Sequence, residues 1–271
     1  MSIKLVAIDL DGTLFDEHKL ISKEVQSAIG RAKAQGVKIV LCTGRPLTGS
    51  LSALKQLNLL QKDDYCITYN GAYVQHNFDG KVIFRKTLTH QDFISLEQLS
   101  RDIGVHCHTL DMNQVYTTNR DISPYTIREC FMSNMALSYR TVEEMDPTLD
   151  ILKVMMIDEE DVLDRGIAKI PASFFEKYTI LKSERFYLEL LNKEASKGKG
   201  VANLAEYLGI HQSEIMAIGD NENDMDMIEY AGIGVAMGNA IDSVKRVSNF
   251  ITKTNGQHGV AHAIEKFVLT D

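Results

Sequence analysis

Near its start the chain runs Leu5-Val6-Ala7-Ile8 without alternation and then meets Asp9-Leu10-Asp11-Gly12-Thr13. Four consecutive apolar residues leave no solvent-facing side. They describe a strand covered on both faces, as in a parallel sheet under helices. In such sheets ligands bind beyond the carboxyl ends of the strands, which is where Asp9 and Asp11 fall. Two carboxylates crowded at one strand tip repel each other, and a cation between them or a shared proton relieves the repulsion. The first thirteen residues therefore offer a metal site and a carboxylate nucleophile.

Strand and helix patterns alternate after this opening. Residues 3–9 read as a strand. Ser22 caps a helix with Val25, Ala28, Ile29 and Ala32 on one stripe, and Gly36 ends it. Strands over 37–42 and 65–69 flank a helix over 47–57. The last third repeats the pattern, with helices over 200–208 and 223–230 and strands over 215–219, 234–237 and 249–252. The middle third is different, with strands of mixed patterning over 82–88, 105–110, 115–118, 137–140, 152–157, 179–182 and 186–191. Helices are expected there over 91–103, 124–132 and 161–178. The fold class expected is α/β: a doubly wound, Rossmann-like parallel sheet over 1–83 and 191–271 as the catalytic core, interrupted by an inserted α+β domain over 84–190.

Bulk properties narrow the function. A chain of 271 residues is long enough for two cores. Its formal net charge of -8 argues against wrapping nucleic acid or lying on an anionic membrane. No apolar run approaches a membrane span, and Asp9 interrupts the first apolar stretch too early for a signal peptide. The four cysteines, Cys42, Cys66, Cys107 and Cys130, have no CxxC pairing, so reduced thiols and a cytoplasmic location are expected. In His106-Cys107-His108 the two histidines share one strand face and the cysteine takes the other, which reads as sheet structure.

Chemistry gathers at strand tips: Asp9, Thr43, Asn70 and Asp220 each close an expected strand of the core. The acidic run Gly219-Asp220-Asn221-Glu222-Asn223-Asp224 makes Asp220 a third oxygen ligand for a hard cation, and magnesium suits oxygen ligands completed by substrate phosphate. Ser196-Lys197-Gly198-Lys199-Gly200 opens a helix whose backbone N–H groups and dipole attract phosphate, with Lys197 or Lys199 adding a charge. Two other glycine patterns fail. Ser50 stands where a P-loop needs lysine, and Met237 stands where a dinucleotide fingerprint needs its third glycine.

Taken in order, Asp9-Leu10-Asp11-Gly12-Thr13, Thr43-Gly44-Arg45, Lys197 and Gly219-Asp220-Asn221-Glu222-Asn223-Asp224 resemble the four motifs of the haloacid dehalogenase-like hydrolase superfamily. The insertion between the second and third resembles the C2-type cap of its Cof-like subfamily. The resemblance implies a sugar phosphatase that works through an aspartyl phosphate. Asp9 would be the nucleophile and Asp11 the general acid and base. Phosphate would meet Thr43, Lys197, Asn223 and the backbone near Leu10 and Gly44. Magnesium would be held by Asp9, the Asp11 carbonyl and Asp220, with Asp224, Arg45 and Asn70 in support.

Repulsion and burial are expected to raise the Asp11 pKa so that it can carry a proton. In the inserted domain, Asn119-Arg120-Asp121, His106, His108, Tyr187 and Glu189 are substrate candidates with a structural reading ahead of each. A small phosphorylated metabolite is the implied partner, and the oligomeric state stays open. Phosphomutase or phosphotransferase chemistry uses the same aspartyl phosphate and is the first alternative. A non-catalytic phosphometabolite-binding protein is the second.

Overall fold

The computed structural model describes residues 2–269. In chain order the strands are β1 (Leu5–Asp9), β2 (Lys38–Cys42), β3 (Tyr65–Thr68), β4 (Tyr73–His76), β5 (Val82–Arg85), β6 (His106–Leu110), β7 (Gln114–Thr117), β8 (Ala136–Tyr139), β9 (Lys153–Ile157), β10 (Tyr178–Glu184), β11 (Tyr187–Asn192), β12 (Ile215–Gly219), β13 (Ile233–Ala236) and β14 (Phe250–Ile251). The helices are α1 (Lys23–Ala34), α2 (Leu47–Gln56), α3 (His90–Ile103), α4 (Pro124–Ser133), α5 (Glu160–Ile167), α6 (Ala172–Lys177), α7 (Lys197–Leu208), α8 (Met225–Tyr230), α9 (Asp242–Val247) and α10 (Gly259–Phe267). Two compact units result. One runs to Arg85 and resumes at Ser196, and the other is Lys86–Ala195.

The first unit is built on an eight-stranded sheet in the order β14-β13-β12-β1-β2-β3-β4-β5. Neighbours from β14 to β3 pair in parallel. The uninterrupted apolar run explains why β1 lies at the centre: Leu5, Val6, Ala7 and Ile8 are all 0% exposed. From β1 the chain moves to β2 on one side and returns later to β12 on the other. The order therefore reverses at β1, and such a reversal opens a crevice at the strands' carboxyl ends. Helix α1 follows its sequence pattern. Ser22 accepts from the Val25 N–H, the expected stripe is buried, and Gly36 takes a φ of +86° just beyond the C-cap.

Two strands on the sheet's far side correct the expected outline. After β3 the chain turns back into β4, antiparallel to β3, and β5 pairs antiparallel with β4. The segment beginning at Val82 thus belongs to the first unit's sheet. Positions 84 and 190, expected as joins, lie inside β5 and β11, and the division spares both strands.

In the second unit a six-stranded sheet runs β10-β11-β9-β6-β7-β8, antiparallel except for β7 with β8. Cys107, Val154, Met156, Leu188 and Leu190 share a core with Phe93, Leu96, Leu99 and Ile103 of α3 and Leu163 of α5. The helix expected over 161–178 is two helices, α5 and α6. Pro171 caps α6 and restrains Ile170 before it from helical geometry.

Candidate active site

Asp9 ends β1 and is 6% exposed. Its Oδ1 accepts from Lys197 Nζ at 2.6 Å, and the same ammonium donates to Asp224 Oδ1 at 2.6 Å. Lys197 is the first residue of α7 and its side chain is fully buried. The structure thereby chooses between the two lysines, since Lys199 is exposed. Burial alone would lower the Lys197 pKa, but the Asp224 and Asp9 carboxylates outweigh it and raise the pKa above the ordinary lysine value.

The helix start itself does not present its N–H groups to a ligand as the sequence suggested. Gly198 N donates to Asp226 Oδ2 at 2.9 Å, Lys199 N to Ser196 Oγ at 3.3 Å, and Gly200 N to the Ser196 carbonyl at 2.9 Å. Asp226 thus does for the helix what a phosphate would have done.

Asp224 organises the acidic loop after β12. Its Oδ2 accepts from the backbone N–H of Asp220 at 2.9 Å and of Asn221 at 3.0 Å. Asp220 in turn accepts from the Thr13 hydroxyl at 2.7 Å. Gly12 lies against it with a φ of +84°, where a Cβ would come 2.4 Å from Asp220 Oδ2, so only glycine fits. Carboxylate oxygens of Asp9, Asp220 and Asp224 all lie within 4.8 Å of one another. Burial raises the Asp9 pKa well above the usual carboxylate value; Asp224 and Asp220 add to the rise, and Lys197 opposes it. Burial and the Asp224 charge likewise push Asp220 up to about 6, against the Thr13 hydrogen bond. Lys197 alone does not balance this concentration of negative charge. An all-oxygen donor set in such a state fits a hard divalent cation.

Thr43 and Asn70 meet through the backbone, Asn70 N donating to the Thr43 carbonyl at 3.0 Å. Thr43 is buried, and its Oγ1 accepts from Arg45 N at 3.1 Å. A Cβ on Gly44 would come 3.0 Å from the Asn70 amide nitrogen. Asn223 Nδ2 donates to Asn70 Oδ1 at 3.0 Å, which uses one of its two N–H donors. Leu10 is buried behind Asp9, its carbonyl accepting from Phe15 N at 2.9 Å. Five of the residues singled out in sequence (Asp9, Lys197, Asp220, Asp224 and, through Asn70, Asn223) therefore converge at the carboxyl ends of β1, β3 and β12.

Asp11 departs from expectation. Arg45 grips it with both arms of its guanidinium, Nε to Oδ2 at 2.7 Å and Nη2 to Oδ1 at 2.6 Å. Lys19 Nζ adds a bond to Oδ1 at 2.6 Å. Partial burial would raise the pKa, but Arg45 and Lys19 together hold it below the ordinary aspartate value. Crowding with Asp9 would raise the value, and these two cations reverse the sign. Lys19 carries no motif and was missed. So were the Thr13–Asp220 bond and the Asn239 Nδ2 bond to the Gly12 carbonyl at 2.8 Å, which tie together residues more than two hundred positions apart.

The candidates in the second unit are occupied by that unit's own structure. His106 pairs with Asp158 at 2.8 Å, and Asn119 Oδ1 accepts from Cys107 N at 2.8 Å. His108 is buried between Thr126 and Met155, Glu189 pairs with Lys153 at 3.1 Å, and Tyr187 donates to the Tyr125 carbonyl at 3.1 Å. Arg120 is exposed beside Tyr139. With His106, Asn119 and Asp121 it lines a polar cavity of about 820 Å³ within this unit. All four cysteines are free thiols, and among the described residues no helix is long and apolar enough to cross a membrane.

Residues 6–264 match the family model described as haloacid dehalogenase-like hydrolase. YxeH of Bacillus subtilis (strain 168) is 48% identical over 98% of both chains. A crystal structure of a haloacid dehalogenase-like hydrolase from Bacteroides thetaiotaomicron aligns with a TM-score of 0.85 at 31% identity, covering 98% of this chain and 99% of that one. The subclass IIB sugar phosphatase BT4131 aligns with a TM-score of 0.81 at 25% identity, covering 97% of this chain and 98% of that one. With its central aspartate, buried lysine and acidic loop, this chain belongs to the haloacid dehalogenase-like hydrolases.

Proposed function

We propose that this phosphoric monoester hydrolase acts on small phosphorylated sugars, through an aspartyl phosphate on Asp9 and with magnesium as cofactor. The observation that carries the reading is the convergence of Asp9, Asp220 and Asp224 around one buried lysine at the switch point of the sheet. The sugar class is supported by the likeness to the sugar phosphatase BT4131.

The residues divide the work. Asp9 and Asp220, with the main-chain carbonyl of Asp11, would hold magnesium, which when bound supplies positive charge beside the transferring phosphoryl group. Lys197 stays charged and holds the Asp9 carboxylate in place, and Thr43 and Asn223 would donate to phosphoryl oxygens. An Asp9 oxygen attacks phosphorus, the bond to the leaving oxygen breaks, and Asp11, once released from Arg45 and Lys19 and protonated from solvent, gives its proton to that oxygen. Water then attacks phosphorus while Asp11 takes its proton, and the bond to Asp9 breaks to release inorganic phosphate. Monoester hydrolysis asks for a barrier reduction on the order of 20 kcal/mol, which a two-step path and fixed charges share.

The deciding experiment is turnover of p-nitrophenyl phosphate with magnesium. Wild type releases phosphate, chelation stops it, and Asp9→Asn loses on the order of a thousandfold or more. Turnover that survives Asp9→Asn refutes the reading.

A further inference from the structure

The proton-donor role asks Asp11 to leave Arg45 and Lys19, and this leaves two cations without a carboxylate, Arg45 keeping only a long bond to the Gly49 carbonyl at 3.4 Å and its place beside the Phe15 ring. Arg45 is held by its surroundings, and Lys19, whose side chain is 64% exposed, is fixed through its backbone turn. The Arg45 guanidinium lies 5.5 Å from the Phe15 ring centroid, and its side chain is 28% exposed. Lys19 sits in a tight turn with a φ of +60°, where its own N–H bonds the Asp16 carbonyl. Asp16 Oδ1 closes that turn by accepting from the His18 and Leu20 N–H groups at 2.9 and 2.8 Å. The two side chains meet the same atom, Asp11 Oδ1, each at 2.6 Å. A planar guanidinium gripping two oxygens in parallel is the geometry that selects a carboxylate, and the lysine supplies a second charge for a single anion.

We propose that Arg45 and Lys19 form a carboxylate subsite, filled by Asp11 in this structure and taken over by a carboxylate on the leaving group of the substrate. The inference rests on the phosphatase reading and narrows its substrate class to phosphorylated sugar acids and related hydroxy acids. A neutral polyol phosphate must draw Asp11 out of three hydrogen bonds with no replacement. A substrate carboxylate replaces those bonds as it binds and releases the Asp11 side chain. Selectivity then arises from competition between two carboxylates for one fork.

The test compares 3-phosphoglycerate with glycerol 3-phosphate, which share a carbon skeleton and differ by a carboxylate in place of a hydroxymethyl group. Binding is measured by calorimetry on the Asp9→Asn protein with magnesium, so that turnover plays no part. The expected result is at least about tenfold tighter binding of 3-phosphoglycerate, a preference of the size expected for charge-assisted hydrogen bonds. Added Lys19→Met reduces that preference to about threefold or less, and added Arg45→Lys, which keeps charge but loses the fork, reduces it likewise. Equal affinities, no binding of 3-phosphoglycerate, or a preference unchanged by both substitutions overturns the inference. The phosphatase reading stands or falls separately, on wild-type turnover of p-nitrophenyl phosphate.

Discussion

Asp11 and Asp220 show how far a single carboxylate's behaviour depends on partners distant in sequence. The first was expected to rise in pKa and is lowered by Arg45 and Lys19; the second rises to about 6 because burial and Asp224 outweigh Thr13. The positions of Asp9, Thr43, Asn70 and Asp220 were legible because strand ends can be read locally. Their ion pairs were not, because Arg45 lies 34 residues from Asp11 and Asp9 lies 188 from Lys197. Two predictions follow from the charges. Asp11→Asn should keep magnesium binding, since the proposed contact is to the main-chain carbonyl alone, and should lower turnover by about a hundredfold or more, as calorimetry and phosphate release would show. Asp220→Asn should raise the stability of the ion-free protein. A raised pKa means that the folded state holds its proton longer than the unfolded state, so ion-free stability falls as pH rises from about 4 through about 6. The ion-free variant should therefore melt about 2–4 °C above wild type at pH 7, and magnesium should raise the Tm of wild type only.

Elements whose faces are set by local pattern matched the sequence best. Helix α1 did so from cap to terminal glycine. Strand β4 was missed because its place depends on pairing back onto β3, and β5, with only intermediate and exposed residues, carries no burial signal to assign it to this sheet. Close packing between elements was equally hidden. Gly71, with a φ of +90°, lies so near α7 that a Cβ would come 1.9 Å from the Ser196 carbonyl oxygen. Gly71→Ala should cost about 3 kcal/mol or more in a denaturant titration, since neither backbone can yield cheaply. On β6, burial and the Lys153 charge push His108 down to about 3. Neutral His108 stabilises the fold fully above its unfolded pKa of about 6.5, and that contribution is lost as pH falls toward 3. At pH 5 the loss amounts to about 2 kcal/mol. His108→Gln should flatten this acid dependence, as urea titrations at pH 7 and pH 5 would reveal.

Among the described residues two hydrophobic clusters have no residue in common, one in each unit. The segment Lys86–Ala195 begins and ends on adjoining structure of its own: Asn192 Nδ2 donates to the Thr87 carbonyl at 2.9 Å, and Leu88 bridges to Ile151. Expressed alone, it should give a single cooperative unfolding transition by circular dichroism, and a sloping loss of signal would show that its core is insufficient. The rest of the chain has no such independence at its N-terminal end. Leu5 pairs with Lys38 on one side and with Ile215 on the other. A polypeptide emerging from a ribosome therefore carries its fully buried central strand with one edge bare through synthesis of the entire insertion, and the edge closes only when β12 has left the tunnel. Residues before the insertion should thus depend on protection of that bare edge during translation, and a fragment ending there should aggregate when expressed alone.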